Sequence, residues 1–106
     1  MMNDELANII DRIANAVAVE KIYLFGSYVN GTPNENSDYD LYMVIPDDSL
    51  RPIDAIGNAH LSMRGLKAKP LDILAGTVEI FNRRKEQLTL EHKITREGVL
   101  LYEREQ

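Results

Sequence analysis

Residues 24–45 read LFGSYVNGTPNENSDYDLYMVI, and the fold turns on how this stretch divides. Ile22, Tyr23, Leu24 and Phe25 make a short aromatic and aliphatic run that stops at Gly26, as a buried strand does. Ser27 follows at once. A strand that ends in Gly-Ser before a helical turn offers backbone N–H groups and a hydroxyl, with no glycine Cβ to obstruct an approaching phosphate. A second apolar run, Leu41 to Ile45, is opened by Asp38, Tyr39 and Asp40. Side chains two apart on a strand share a face, with Cα atoms about 7 Å apart, so Asp38 and Asp40 can reach one cluster of hard cations. Mg²⁺ takes oxygen ligands and keeps waters and substrate phosphates among them, so paired aspartates suffice to hold one or two ions beside a triphosphate. The residues between, Gly31 to Ser37, are turn formers almost throughout and predict an exposed loop.

Upstream, Leu6, Ile9, Ile10, Ile13, Ala14 and Val17 recur at helical spacing and predict an amphipathic helix over 4–18, capped by Asn3 or Asp4. Downstream, Pro52 suits a first helical turn. Ile53, Ile56, Ala59, His60, Met63 and Leu66 form the stripe of a helix over 51–66. A third strand follows at Leu71 to Leu74. A helix between strands two and three implies a crossover and a parallel pair whose starts lie side by side. The shorter loop between strands one and two permits an antiparallel pair. Together these place Gly26, Asp38, Asp40 and Asp72 at one edge. Thr77 caps a helix over 78–87, residues 89–97 form another that stops at Gly98, and Val99 to Tyr102 make a last edge strand. The expected class is α/β (α+β), a small mixed sheet of three to four strands flanked by helices.

Asp72 interrupts an apolar strand. A carboxylate there either meets a metal, a proton or a partner charge, or lies on the wet face of a half-buried strand. An EF-hand reading of Asn34 to Ile45 fails, because Tyr39 stands where the loop needs glycine and Ile45 where it needs glutamate. His60 reads as a core or groove-edge residue, with substrate binding as the alternative, and His92 as solvated. The two are too far apart for a zinc site. Arg83, Arg84 and Lys85 read as a solvated helix face or a partner contact, while Arg64, Lys67 and Lys69 flank strand three, where they offer charge to a phosphate.

The chain has 106 residues, 44% hydrophobic and 27% charged, with a net charge of -5. Those proportions suit one globular domain over 1–106. The negative balance argues against direct nucleic-acid binding, which needs a concentrated basic face. With no cysteine there is no disulfide framework or thiol nucleophile, as expected of a cytoplasmic protein. The acidic start, Met1 to Glu5, is unlike a signal peptide, and no apolar run is long enough for a bilayer.

Gly26-Ser27, ten intervening residues and then Asp38-Tyr39-Asp40 resemble the signature of the DNA polymerase beta-like nucleotidyltransferase superfamily. Asp72 fits the third acid that this family carries on its next strand. The likeness spans roughly residues 6–103, little less than the whole chain. It is similar to the minimal nucleotidyltransferases often encoded beside a HEPN-domain protein. The resemblance implies a nucleotidyltransferase fold, with Gly26 and Ser27 holding the nucleotide and Asp38, Asp40 and Asp72 as catalytic metal ligands for two Mg²⁺ ions. It implies transfer of AMP from ATP, or another NMP from its NTP, to a hydroxyl on a HEPN-type toxin, which would make this chain the antitoxin. Two other expectations stand beside it. One is a non-catalytic antitoxin that masks its partner; the other is a homodimeric transferase acting on small molecules.

Overall fold

The computed structural model describes residues 3–31, 38–67 and 69–105. The predicted loop residues 32–37 lie outside them. Helix α1, Asp4–Ala16, starts where Asn3 accepts a hydrogen bond from the Leu6 amide at 2.7 Å. It buries Leu6, Ile9, Ile10 and Ile13, and Asp4 and Glu5 occupy its positive end.

Four strands make one sheet. β1 (Lys21–Phe25) runs antiparallel to both β2 (Tyr39–Ile45) and β4 (Val99–Glu103), while β3 (Leu71–Thr77) runs parallel to β2, giving the order β3-β2-β1-β4. Strand alternation splits β2 between two cores. Tyr39, Leu41, Met43 and Ile45 face α1 and α3 (Pro52–Ser62) with Ile22, Leu24 and Ile73. Tyr42 and Val44 face the other way, onto Phe81 of α4 (Val78–Arg84) and Ile94 of α5 (Leu90–Glu97). All five residues from Leu41 to Ile45 are buried, as expected of an inner strand covered on both faces.

The crossover through α3 accounts for the parallel pair. That helix is shorter and differently phased than its apolar stripe predicts. It buries Ala55 and Ala59, whose small side chains let the backbone lie close to the sheet, and it leaves Ile53 at 66% exposure and His60 in solvent. Met63 and Leu66 reach the core from the turn beyond it. Thr77 caps α4 by accepting from the Ile80 amide, and Thr89 caps α5 by accepting from the His92 amide. At Gly98 the backbone turns extended and ends the helix, and a side chain would not fit there, since a Cβ would press on the carbonyls of Ile94 and Leu24. Among the described residues no helix is long and apolar enough to cross a membrane.

Candidate active site

The end of β1 is shaped by one residue. Gly26 has φ +80° and ψ -147°, a conformation that L side chains rarely adopt, and an added Cβ would overlap the Asp40 carboxylate. The turn and the aspartate therefore share one small volume. From Gly26 the chain enters α2 (Ser27–Asn30), a single turn closed by the bond from the Gly31 amide to the Ser27 carbonyl at 3.2 Å.

The in-register pairing of β2 sets the acids. Asp40 lies opposite Phe25 on β1 and opposite Asp72 on β3. Because all three elements meet at this edge, Asp40 and Asp72 share the sheet face that carries Tyr42. Asp38 stands just before β2, partly exposed. Burial pushes the Asp40 carboxyl above its ordinary range, the charge of Asp72 and a hydrogen bond between the two carboxyls add to this, and Asp38 contributes more weakly. Tyr39, between the two DxD acids, points into the opposite core. Its hydroxyl donates to Glu5 Oε1 at 2.8 Å, and its ring meets Tyr28 of α2 at 4.7 Å between centroids. So α1, α2 and the start of β2 are tied to each other under the acids, a tie that the spacing of polar residues alone does not reveal.

The donor set is entirely carboxylate, which suits a hard divalent cation, and like charges pressed together require either a cation or a shared proton. Among the described residues no three His, Asp or Glu side chains are already arranged to hold an ion. Asp40 and Asp72 are in contact, while Asp38 acts on Asp40 through space alone. The residues fit Mg²⁺ by the chemistry of their donors, with Asp40 and Asp72 together and Asp38 standing apart from them.

Two expectations need correction. Arg84 is no free surface charge: it pairs at 3.0 Å with Glu91, which is 7% exposed and also accepts from the Tyr42 hydroxyl at 2.9 Å. His92 is partly buried, with Nδ1 2.8 Å from the Lys85 carbonyl. Both links join α4 to α5, and no local pattern in the sequence announces them. Arg83 is exposed as expected. Arg64 lends its carbonyl to Arg12 at 3.1 Å, and Lys69 is engaged. Beside Gly26 a cavity of about 190 Å³ opens between Phe25 and α5, walled by Leu90, Lys93, Ile94 and Glu97.

The Gly26 turn thus closes on paired acids from adjoining strands. Residues 7–106 match the family described as "Polymerase beta, Nucleotidyltransferase", and the chain belongs to it. Its fold is similar to that in the crystal structure of a toxin-antitoxin with AMP-PNP, at 23% identity and a TM-score of 0.63, covering 97% of this chain and 76% of that one. It is also similar to a protein of Sulfolobus solfataricus assigned as a nucleotidyltransferase, at 20% identity and a TM-score of 0.62, covering 92% and 76% of the two chains. No match was found among curated proteins.

Proposed function

We propose that residues 1–106 form a single minimal domain that transfers AMP from ATP, or another NMP from its NTP, to a hydroxyl of a HEPN-domain partner in the cytoplasm, acting as that toxin's antitoxin. The observation that carries this reading is the in-register contact of Asp40 with Asp72 against the Gly26 turn. The toxin-antitoxin structure solved with AMP-PNP supports a toxin as the partner and an adenine nucleotide as the donor.

In this mechanism Asp38, Asp40 and Asp72 would hold Mg²⁺, two ions in the full site. Bound there, Mg²⁺ supplies charge neutralisation for the phosphates and lowers the pKa of the attacking hydroxyl. Gly26, with no side chain, and Ser27, with its amide and hydroxyl, receive the leaving phosphates. The acceptor oxygen bonds to the α-phosphorus, the bond from that phosphorus to the β-bridging oxygen breaks, and pyrophosphate departs. Asp72, the most exposed of the three acids, takes the hydroxyl proton. The chain's contribution is positioning and electrostatics, the two terms that dominate phosphoryl chemistry.

The test is co-expression with a HEPN-domain partner, followed by intact-mass measurement. The expected result is one added AMP, lost in the Asp40→Asn chain. A stable complex that never gains the mass would instead mark a masking antitoxin. A homodimer that modifies only small alcohols would remove the protein acceptor.

A further inference from the structure

The motif region has an unmet electrostatic requirement. From Ile22 to Leu50 there is no Lys, Arg or His, while Glu35, Asp38, Asp40, Asp47 and Asp48 all fall there. α2, which stands where phosphates would arrive, carries no cation. Even two divalent ions leave three carboxylates and a triphosphate with an excess of negative charge, so a cation must come from another element.

One does. The cavity beside Gly26 is walled on its far side by α5, and Lys93 lines it. Among the described residues the Lys93 ammonium makes no hydrogen bond or ion pair, although Glu97, the other charged side chain of the lining, lies one turn further along the same helix. In sheet order Asp72 lies on β3, Asp40 on β2 and Gly26 at the end of β1, and α5 packs over β1 on the face that carries Tyr42. Neighbouring strands are about 4.8 Å apart. A triphosphate with its α-phosphorus at the acids and its chain running past Gly26 therefore ends at the mouth of this cavity.

We infer that Lys93 is the side chain that contacts the terminal phosphates of the nucleotide and stabilises the departing pyrophosphate. This rests on the nucleotidyltransferase reading above and adds a residue outside its motif. Lysine suits the task as a compact charge on a flexible stem, and Phe25, Leu90 and Ile94 give that stem an apolar bed.

The experiment is calorimetric titration of the full chain, in Mg²⁺, with the β,γ-imido analogue of ATP and separately with AMP. Lys93→Met is expected to weaken the triphosphate analogue on the order of tenfold and to leave AMP unchanged, as loss of one charge-assisted contact should. Lys93→Arg should restore most of the affinity. Arg96→Met removes the same charge from α5 outside the cavity and should change nothing. Equal triphosphate affinity in Lys93→Met and the parent chain overturns the inference, and so does an equal loss in Arg96→Met or for AMP. Those failures leave the parent reading intact if binding still depends on Asp40. A parent chain that binds the triphosphate equally well with and without Asp40, or not at all, overturns both.

Discussion

Asp40 and Glu91 lie over the same face of one sheet and have opposite fates. Glu91 is the more buried, and burial alone would raise its pKa. Its own backbone N–H, Arg84 and Tyr42 outweigh that and hold its carboxyl below the usual range. Asp40 is only half-buried, yet burial and the charge of Asp72 both push it up. Tyr42, which serves Glu91, stands two residues from Asp40 on β2. The difference is therefore one of neighbours and not of location. The fold satisfies the carboxylate that joins its helices and leaves unsatisfied the one to which the proposed mechanism gives chemistry, the pattern expected of functional sites.

The strongest way to break this comparison is Asp40→Asn. Nucleotide transfer should fall by about three orders of magnitude or more, measured with labelled ATP and Mg²⁺. In metal-free buffer the same variant should melt about a few degrees higher, because a repelled charge is gone. An unchanged rate would remove Asp40 from the chemistry, and a lower melting temperature would remove it from the unsatisfied class. Next comes Gly26→Ala, which combines a disfavoured backbone with an overlap on the Asp40 carboxylate. It should cost about 1–3 kcal/mol in urea unfolding and lower the rate far more than that strain would imply. Loss of stability with full activity would show that the turn does not govern the acid.

Glu91→Ala tests the satisfied member. It strands the Tyr42 hydroxyl and half of an ion pair, and since Arg84 is 47% exposed the expected cost is only about 2 kcal/mol. The catalytic rate of the remaining folded protein should change little. The smallest effect is in the pH profile. The folded pKa of Asp40 is raised above the ordinary carboxylate value, so the folded state holds that proton more tightly and loses stability as pH rises through the window above that value. The stability gap between Asp40→Asn and the parent should thus be absent below that value and open as pH rises. Glu91 has the opposite sign, since its lowered pKa gives stability that disappears as pH falls through the folded value.

The sequence revealed what depends on period and spacing. α1, β1, the start of β2, the Thr77 cap and the parallel pairing of β2 with β3 all follow from local pattern and from the crossover rule. The phase of α3 did not, because Ala55 and Ala59 carry too little apolar weight to outvote Ile53 in the pattern, yet their small size is what seats the helix. The buried Glu91 also escaped notice, since an acid at the start of a helix reads as a solvated first-turn residue until Tyr42 and Arg84 are brought to it by tertiary packing. Of the candidate site, the meeting of Gly26, Asp40 and Asp72 at one edge could be read from the motif and the crossover. The Tyr28–Tyr39 ring contact could not, because it depends on how the intervening loop returns the chain, nor could the cavity under Lys93, which is made by β1 and α5, elements distant in the chain.

The parallel alignment of Asp40 with Asp72 also bears on when the site comes into being during synthesis. Antiparallel β1 and β2 can zip together as soon as both have left the ribosome, but β3 cannot dock until the helix between has been laid across the sheet, a slow, non-local closure. A nascent chain that has only its first two strands already shows the glycine turn and the DxD pair, yet it lacks the opposing carboxylate. On the proposed mechanism, nucleotide chemistry is thereby withheld until the chain has folded past its third strand.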